Sequence, residues 1–215
     1  MKLIAFEKKI SKEDAWRMAQ QKGSLLWKAV FAGNPLTEIQ LKYIEYKIVE
    51  VKVEYKITPM LRVRTNLKNS FKSIFSNFVR GDRLRDAPVP MQIDKTKKYG
   101  EHSLLLIVNG TSGSPSLVDV MPKMVKIEMT EERYDRIVQK TDFTDDEIIR
   151  NAKKMAIRVM HRIVGGMPKI KDVTVKSIYR PFYVAFYGEV VEGNKVRYIP
   201  IPADGGHTTK RGEFA

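Results

Sequence analysis

The chain has 215 residues, 43% of them hydrophobic and 30% charged, which is typical of a folded globular protein and not of a disordered one. It contains no cysteine, so disulfides, thiolate metal sites and a cysteine nucleophile are excluded. The formal net charge of +14 favours contact with a polyanion such as nucleic acid or an anionic surface. The alternative is a solvated basic surface without a particular partner.

The beginning of the sequence resembles neither a signal peptide nor a membrane anchor. Its first apolar run, Leu3–Phe6, is too short for the hydrophobic region of a signal peptide, and charged residues follow at once. The longest aliphatic run, Leu104–Val108, is far shorter than the roughly 20 residues of a membrane-spanning helix. We therefore expect a cytoplasmic protein without a transmembrane segment.

Two amphipathic helices are predicted, and each begins at a hydroxyl-bearing cap. Residues 11–32 open on a serine and residues 144–163 on a threonine, and in both cases a carboxylate follows three positions later. Phe143, just before the second cap, has the spacing of a hydrophobic staple with Ile148. Behind each cap the apolar residues recur at helical spacing, so each helix has one apolar face for packing on a sheet. Gly165 and the glycine after it predict the end of the second helix.

A strand rich in aromatic and β-branched residues follows each helix. Tyr43–Val51 is the first and Tyr179–Tyr187 the second, and the two match aromatic to aromatic and aliphatic to aliphatic when laid over each other. In the first strand the alternation changes phase between Ile48 and Val49, which predicts a β-bulge.

The same order of elements occurs twice along the chain. After the aromatic strand, residues 103–120 and residues 195–208 each contain a further strand and a glycine-rich turn. We therefore predict an α+β fold formed by internal duplication of a helix packed on an antiparallel β-sheet. The first unit would span residues 1–125, with a basic insertion at 57–100, and the second unit residues 126–215.

This order of elements resembles the PepSY-like and cystatin-like families, in which one helix packs on an antiparallel sheet and a late strand carries a small turn of Asp or Asn with glycine. The residues that match this turn are Asn109, Gly110 and Gly113 in the first unit and Asp204, Gly205 and Gly206 in the second. The resemblance implies a binding or regulatory module. It brings no catalytic residue, cofactor or metal site to this chain.

The insertion at 57–100 holds ten lysines and arginines and three aspartates, so it supplies +7, half of the net charge. Apolar residues at helical spacing between Leu67 and Phe78 predict a short amphipathic helix. Three interpretations of this helix remain open: docking on the core, association with a partner, or contact with a membrane surface or nucleic acid. The cations that we expect to carry any polyanion affinity lie in the loop-like stretch after it: Arg80, Arg83, Arg85, Lys95, Lys97 and Lys98.

Local motifs for catalysis are weak. None of the three histidines has metal-ligand spacing with another. His207 follows Asp204 and two glycines, an arrangement open to a general base or a ligand, but the backbone geometry of the turn explains these residues as well. The loop Asn109–Gly113 has the glycines of a phosphate-binding loop without its lysine or its following helix.

Two further basic or aromatic features bear on nucleic acid. Arg150, Lys153, Lys154, Arg158 and Arg162 form a basic stripe on the second helix, for which a solvated outer face is the default interpretation. The aromatic residues between positions 179 and 187 could stack bases, although strand alternation sends about half of them into the core. We expect a non-enzymatic binding or regulatory protein of unknown ligand. The alternative is a nucleic-acid-binding protein that uses the basic insertion and an aromatic sheet face; a protein partner is also consistent with the sequence.

Overall fold

The computed structural model describes residues 1–21, 35–58, 96–118, 121–188 and 197–205. In these ranges eight strands and three helices follow one another. In chain order the elements are β1 (Lys2–Phe6), α1 (Lys12–Gln21), β2 (Leu36–Lys56), β3 (Tyr99–Asn109), β4 (Pro115–Leu117), β5 (Met124–Glu128), α2 (Glu131–Ile137), β6 (Val138–Gln139), α3 (Asp145–Val164), β7 (Lys169–Tyr187) and β8 (Arg197–Pro202).

A long antiparallel pair, β2 with β7, forms the middle of one sheet whose main strand order is β4-β3-β2-β7-β1-β5. The second half of β2 pairs with β3, and the second half of β7 pairs with β8. β1 joins β7 in parallel where Ala5 lies opposite Tyr179, and the short β6 joins β2 in parallel. The fold is therefore mixed α and β with one large, mainly antiparallel sheet. Residues on both sides of the predicted unit boundary belong to that sheet.

The predicted bulge between Ile48 and Val49 is wrong. The β2–β7 ladder runs without interruption through these two residues, and its register shifts lie between Leu36 and Glu38 and between Lys52 and Val53. Val49 is fully buried beneath α3, while Ile48 packs in a separate cluster with residues of the opposite face. Because both faces are covered here, two consecutive apolar residues need no extra residue between them.

The helices lie on one face of the sheet, since strand alternation places the odd-numbered residues of β2 together. Ile39 packs with α1, Tyr43 with α2, and Val49 with α3. The opposite face holds a smaller cluster that includes Ile44 and Phe182, both fully buried. The middle of the β2–β7 pair is therefore covered on both sides, and Glu45 and Arg180 at that level are buried.

The capping box predicted for the second helix is confirmed at the start of α3. The backbone N–H of Glu147 donates to Thr144 Oγ1 at 3.3 Å, and the N–H of Thr144 donates to Glu147 Oε2 at 3.0 Å. Phe143 packs against the cluster that contains Ile148, as a hydrophobic staple requires. Gly165 ends the helix in the left-handed region, with φ of 70°. Such a cap contributes about 1 kcal/mol to helix stability.

The first predicted helix also begins where expected. The N–H of Asp14 donates to Ser11 Oγ at 3.0 Å, and Ala15 and Ala19 are buried against aromatic residues of β7. The prediction extended this helix to residue 32, of which residues 22–32 lie outside the described part. The same holds for residues 59–95, which contain most of the predicted insertion and its amphipathic helix.

Candidate functional site

Polar side chains gather on both faces of the β2–β7 pair near its middle. The helix-side cluster consists of Glu45, Lys47, Thr141, Asp145 and Ser177. Lys47 Nζ lies 3.0 Å from Glu45 Oε1 and 3.2 Å from Asp145 Oδ1, and it donates to Ser177 Oγ at 2.9 Å. Ser177 Oγ donates to Glu45 Oε1 at 2.8 Å, and the N–H of Thr141 donates to Glu45 Oε2 at 3.2 Å. The side chains of Glu45 and Lys47 are only 9% and 11% exposed, so they form a nearly buried ion pair.

Hydrogen bonds keep both charges of this pair in place. Burial opposes the charge of Glu45, but hydrogen bonds from Ser177, Lys47 and Thr141 lower the pKa of its carboxyl below the ordinary value. Burial also opposes the charge of Lys47, but Glu45 and Asp145 raise the pKa of its amine. A lysine that stays protonated cannot take the proton of Ser177, so this contact does not activate the serine as a nucleophile.

The second polar cluster lies on the opposite face and contains Arg180, Asp204, Tyr46 and Asn109. Arg180 donates to the two carboxylate oxygens of Asp204 at 2.9 and 3.2 Å, with side chains 11% and 8% exposed. The guanidinium carbon lies 5.8 Å from the centre of the Tyr46 ring, and Asn109 Nδ2 donates to the Tyr46 hydroxyl at 3.2 Å. Burial would lower the pKa of Arg180, but Asp204 and Tyr46 raise it. This is a bidentate, charge-assisted pair.

The predicted turn of Asn109 with glycine is present, the second turn is described as far as Gly205, and the polar side chains of both have structural partners. Asn109 Oδ1 accepts from the N–H of Thr111 at 2.8 Å, which closes the turn after β3. A Cβ on Gly110 would lie 1.9 Å from the carbonyl oxygen of Glu45, so only glycine fits this approach. Asp204 lies in the predicted turn, and its carboxylate also binds Arg180, which the sequence did not indicate. Gly206 and His207 lie outside the described residues.

The two described histidines have separate environments. His161 is exposed on α3, as expected for the polar outer face. His102 lies on β3, where burial lowers the pKa of its imidazole. Within the described ranges, no three His, Asp or Glu side chains come close enough to hold a metal ion.

Of the six predicted polyanion-binding residues, the structure describes two. Lys97 and Lys98 are adjacent and exposed, just before β3 begins. The carbonyl of Lys98 accepts from the N–H of Ile57 at 2.9 Å, so this point of the chain is fixed to the end of β2. The other four, Arg80, Arg83, Arg85 and Lys95, lie outside the described residues.

Three of the five aromatic residues expected to stack bases are buried. Phe182, Tyr183 and Tyr187 are 0%, 6% and 7% exposed and belong to the core. Tyr179 is partly buried, and its hydroxyl lies 3.1 Å from that of Tyr134. Burial and this hydrogen bond raise the pKa of Tyr179. A base cannot stack on rings that solvent does not reach, so the prediction of a stacking face is wrong for Phe182, Tyr183 and Tyr187, whereas Tyr179 and Phe186 are partly exposed.

The basic stripe of α3 is exposed along its whole length. All five of its cations, Arg150, Lys153, Lys154, Arg158 and Arg162, are exposed. Arg150 lies 4.0 Å from Glu147, and the other four form no ion pair with the described part of the chain. By contrast, the exposed Arg17 of α1 pairs with Asp14 at 2.7 Å. The sequence of the stripe did not indicate that most of the α3 cations lack an ion-pair partner in the described part of the chain while Arg17 of α1 has one.

A shallow, open cleft of about 360 Å³ runs along α1. It is lined by Lys9, Ile10, Asp14, Arg17, Met18 and Gln21. Four of these six residues are polar and exposed, and Arg17 pairs with Asp14, so the cleft lacks the enclosing apolar lining of a small-molecule site.

No protein-family model, curated protein or solved structure matches this chain. The resemblance to PepSY-like and cystatin-like families therefore stays a prediction. Among the described residues, no helix is both long and apolar enough to cross a membrane.

Proposed function

We propose that this protein is a non-enzymatic binding or regulatory protein built from two helix-on-sheet units. The observation that supports this proposal is the way in which the fold uses its buried polar groups. Lys47 is hydrogen-bonded to Glu45 and Asp145, and Arg180 is bonded through two nitrogens to Asp204. Buried polar groups that complete each other's hydrogen bonds stabilise the sheet, and side chains only 8–11% exposed offer little surface to a substrate.

The duplication has topological support. From the first residue of α1, Lys12, to the first residue of β2, Leu36, the chain advances 24 positions, and from Asp145 to Lys169 it advances the same 24. α1 lies over the first half of β2 with β7 and β8, while α3 lies over the second half of β2 with β7 and β3. Two units related by a pseudo-twofold axis near Glu45 would have this arrangement.

The direct test of a non-enzymatic role is labelling with a fluorophosphonate, which reacts with activated serines. We expect no label on Ser177, because its neighbour Lys47 stays protonated. A label that disappears in Ser177→Ala, and is retained in the matched variant Ser103→Ala, would overturn the proposal. For the duplication, an experimental structure in which α1–β2–β3 does not superpose on α3–β7–β8 would overturn it.

Nucleic-acid binding through the basic insertion is the second candidate, supported by the exposed Lys97 and Lys98 at its end. If the insertion is the binding site, replacing all six predicted cations by glutamine abolishes retention on heparin and leaves the melting temperature nearly unchanged, because exposed charges contribute little to folding. Retention equal to that of the wild type would exclude the insertion as the binding site. We also propose a cytoplasmic location for the protein, with which the lack of cysteine is consistent.

A further inference from the structure

The charges on the exposed face of α3 all have one sign beyond its first turn. From Ile148 to Val164 the helix contains no acidic residue and five arginines and lysines. Arg150, Lys154, Arg158 and Arg162 follow one another at intervals of four, so they are neighbours along one side of the helix. Like charges at this spacing repel and destabilise a helix. A helix face that only contacts solvent is more stable with charges of both signs, as on α1, where Arg17 pairs with Asp14.

The helix dipole explains only part of this pattern. Cations in the last turn of a helix are favourable, which accounts for Arg162. Arg150, Lys153 and Lys154 lie in the first half of α3, where the dipole gives them no advantage. Their placement therefore opposes helix stability and calls for a partner that carries negative charge.

The stripe has a length and direction that suit an extended polyanion. With a rise of about 1.5 Å per residue, Arg150 and Arg162 are separated by roughly 18 Å along the axis. The first residue of α3, Asp145, contacts Lys47 of β2. After α3 the chain enters β7 at Lys169, which lies opposite Glu54, so α3 runs towards the end of β2. That is the end where Lys98 is fixed to Ile57. The row of cations thus continues towards Lys97 and Lys98.

The chemistry of the exposed face selects among polyanions. A membrane-surface helix inserts its apolar face, but that of α3, including Ile148, Met155 and Met160, is buried in the core. Single-stranded nucleic acid is held mainly by stacking on large aromatic rings, and the exposed residues of α3 include no Phe, Tyr or Trp. The phosphate backbone of a duplex needs only regularly placed cations.

We propose that the exposed face of α3 binds the phosphate backbone of double-stranded nucleic acid without sequence preference, through Arg150, Lys153, Lys154, Arg158 and Arg162. This inference rests on the proposed function, since it names the partner class of a binding protein. Binding through four or five phosphates weakens about 150- to 500-fold between 50 and 200 mM salt.

The test is fluorescence anisotropy of a labelled duplex of random sequence with the full chain, measured across that salt range. The variant Arg150→Gln, Lys154→Gln, Arg158→Gln should bind more weakly at low salt, and the slope of log affinity against log salt should fall by about 2.7. Its melting temperature should not decrease, because repulsion is removed. The control Lys8→Gln, Lys9→Gln, Lys12→Gln loses the same charge beside α1 and should keep both the affinity and the slope of the wild type.

Several results would overturn the inference. One is an equal loss of affinity in the control variant, which would mean that net charge alone acts. Others are binding to polyglutamate or to vesicles of equal parts phosphatidylserine and phosphatidylcholine as tight as binding to the duplex. Loss of all duplex binding in the six-residue insertion variant, with the α3 variant unaffected, would also overturn it. None of these results depends on the reactivity of Ser177. The labelling experiment therefore tests the non-enzymatic role, and the duplex-binding experiment tests the α3 surface, independently of each other.

Discussion

Removing one charge of the buried pair Arg180–Asp204 tests most directly whether this pair stabilises the sheet. Asp204→Asn keeps the size of the side chain and removes its charge. The guanidinium of Arg180 would then remain in a site where the two side chains are only 11% and 8% exposed. Because an uncompensated buried charge is costly, we expect the free energy of unfolding to fall by about 3–5 kcal/mol.

A surface pair of the same length provides the control. Lys2 Nζ lies 2.9 Å from Glu128 Oε1, the distance found between Arg180 Nε and Asp204 Oδ2, but its side chains are 80% and 71% exposed. Glu128→Gln should therefore cost less than about 1 kcal/mol. Urea unfolding followed by tryptophan fluorescence measures both variants. If Asp204→Asn and Glu128→Gln lower the free energy of unfolding equally, burial does not determine the cost of losing one charge of the pair, and the prediction is wrong.

The double variant separates the orphaned charge from other effects. If the cost of Asp204→Asn comes from the unpaired guanidinium, Arg180→Met combined with Asp204→Asn should be more stable than Asp204→Asn alone. An additive loss would show that the two side chains act independently, and the pair would then not be a coupled unit.

Three other perturbations follow from the same structure. Thr144→Ala should cost about 1 kcal/mol by removing the cap of α3, and Phe143→Ala should destabilise the same end; unchanged melting in both would place the helix start elsewhere. Gly110→Ala puts a Cβ 1.9 Å from the carbonyl oxygen of Glu45 and should cost about 3 kcal/mol, while Gly166→Ala, with no atom within 4 Å of its Cβ, should be nearly neutral in the same urea assay. The pKa of Glu45 is lowered from its ordinary value of 4.5, so its charge stabilises the fold above pH 4.5 and this contribution is lost as the pH falls through the folded value. Glu45→Gln should therefore lose less of its stability than the wild type between pH 5 and pH 3; parallel curves of urea midpoint against pH would contradict this.

The parts of the fold that the sequence predicts are those with local signals. The cap of α3 and its closing glycine are contained in a few consecutive residues, and both were located correctly. Tyr43–Val51 and Tyr179–Tyr187 lie inside β2 and β7, whose greater length depends on their pairing with each other. The extra residues, such as Lys169–Ile178, alternate too weakly to indicate a strand by themselves.

The parts that the sequence did not predict are held by distant contacts. β1 and β5 have five residues each and pair with each other across more than 100 positions, Leu3 opposite Ile127. A five-residue strand has too little periodicity to be recognised without its partner. The sequence does contain a cap residue for α2: Thr130 accepts from the N–H of Arg133 at 3.4 Å. The helix is only seven residues long, which is too short for a clear helical periodicity.

The polar clusters show the same limit. Glu45 and Lys47 are two positions apart on one strand, so their shared face follows from alternation. Arg180 and Asp204 meet only because β8 returns along β7 and places Pro202 opposite Phe182. Nothing in the residues around Asp204 distinguishes a turn carboxylate from an ion-pair partner.

These two ion pairs have a consequence for the register of β2 on β7. A slip by one residue exchanges the faces of all side chains, and where apolar residues occupy both faces, as at Ile48 and Val49, hydrophobic burial discriminates poorly against it. The polar residues discriminate strongly, because Glu45 and Arg180 lie opposite Tyr179 and Ile44 and each reaches its partner on only one face. After a slip of β7, Arg180 would point towards the helices, away from Asp204, and Ser177 would point away from Glu45, so buried charges would lose their partners. The apolar residues thus stabilise the pairing of the two strands, and the charged residues near the middle fix which residues are paired.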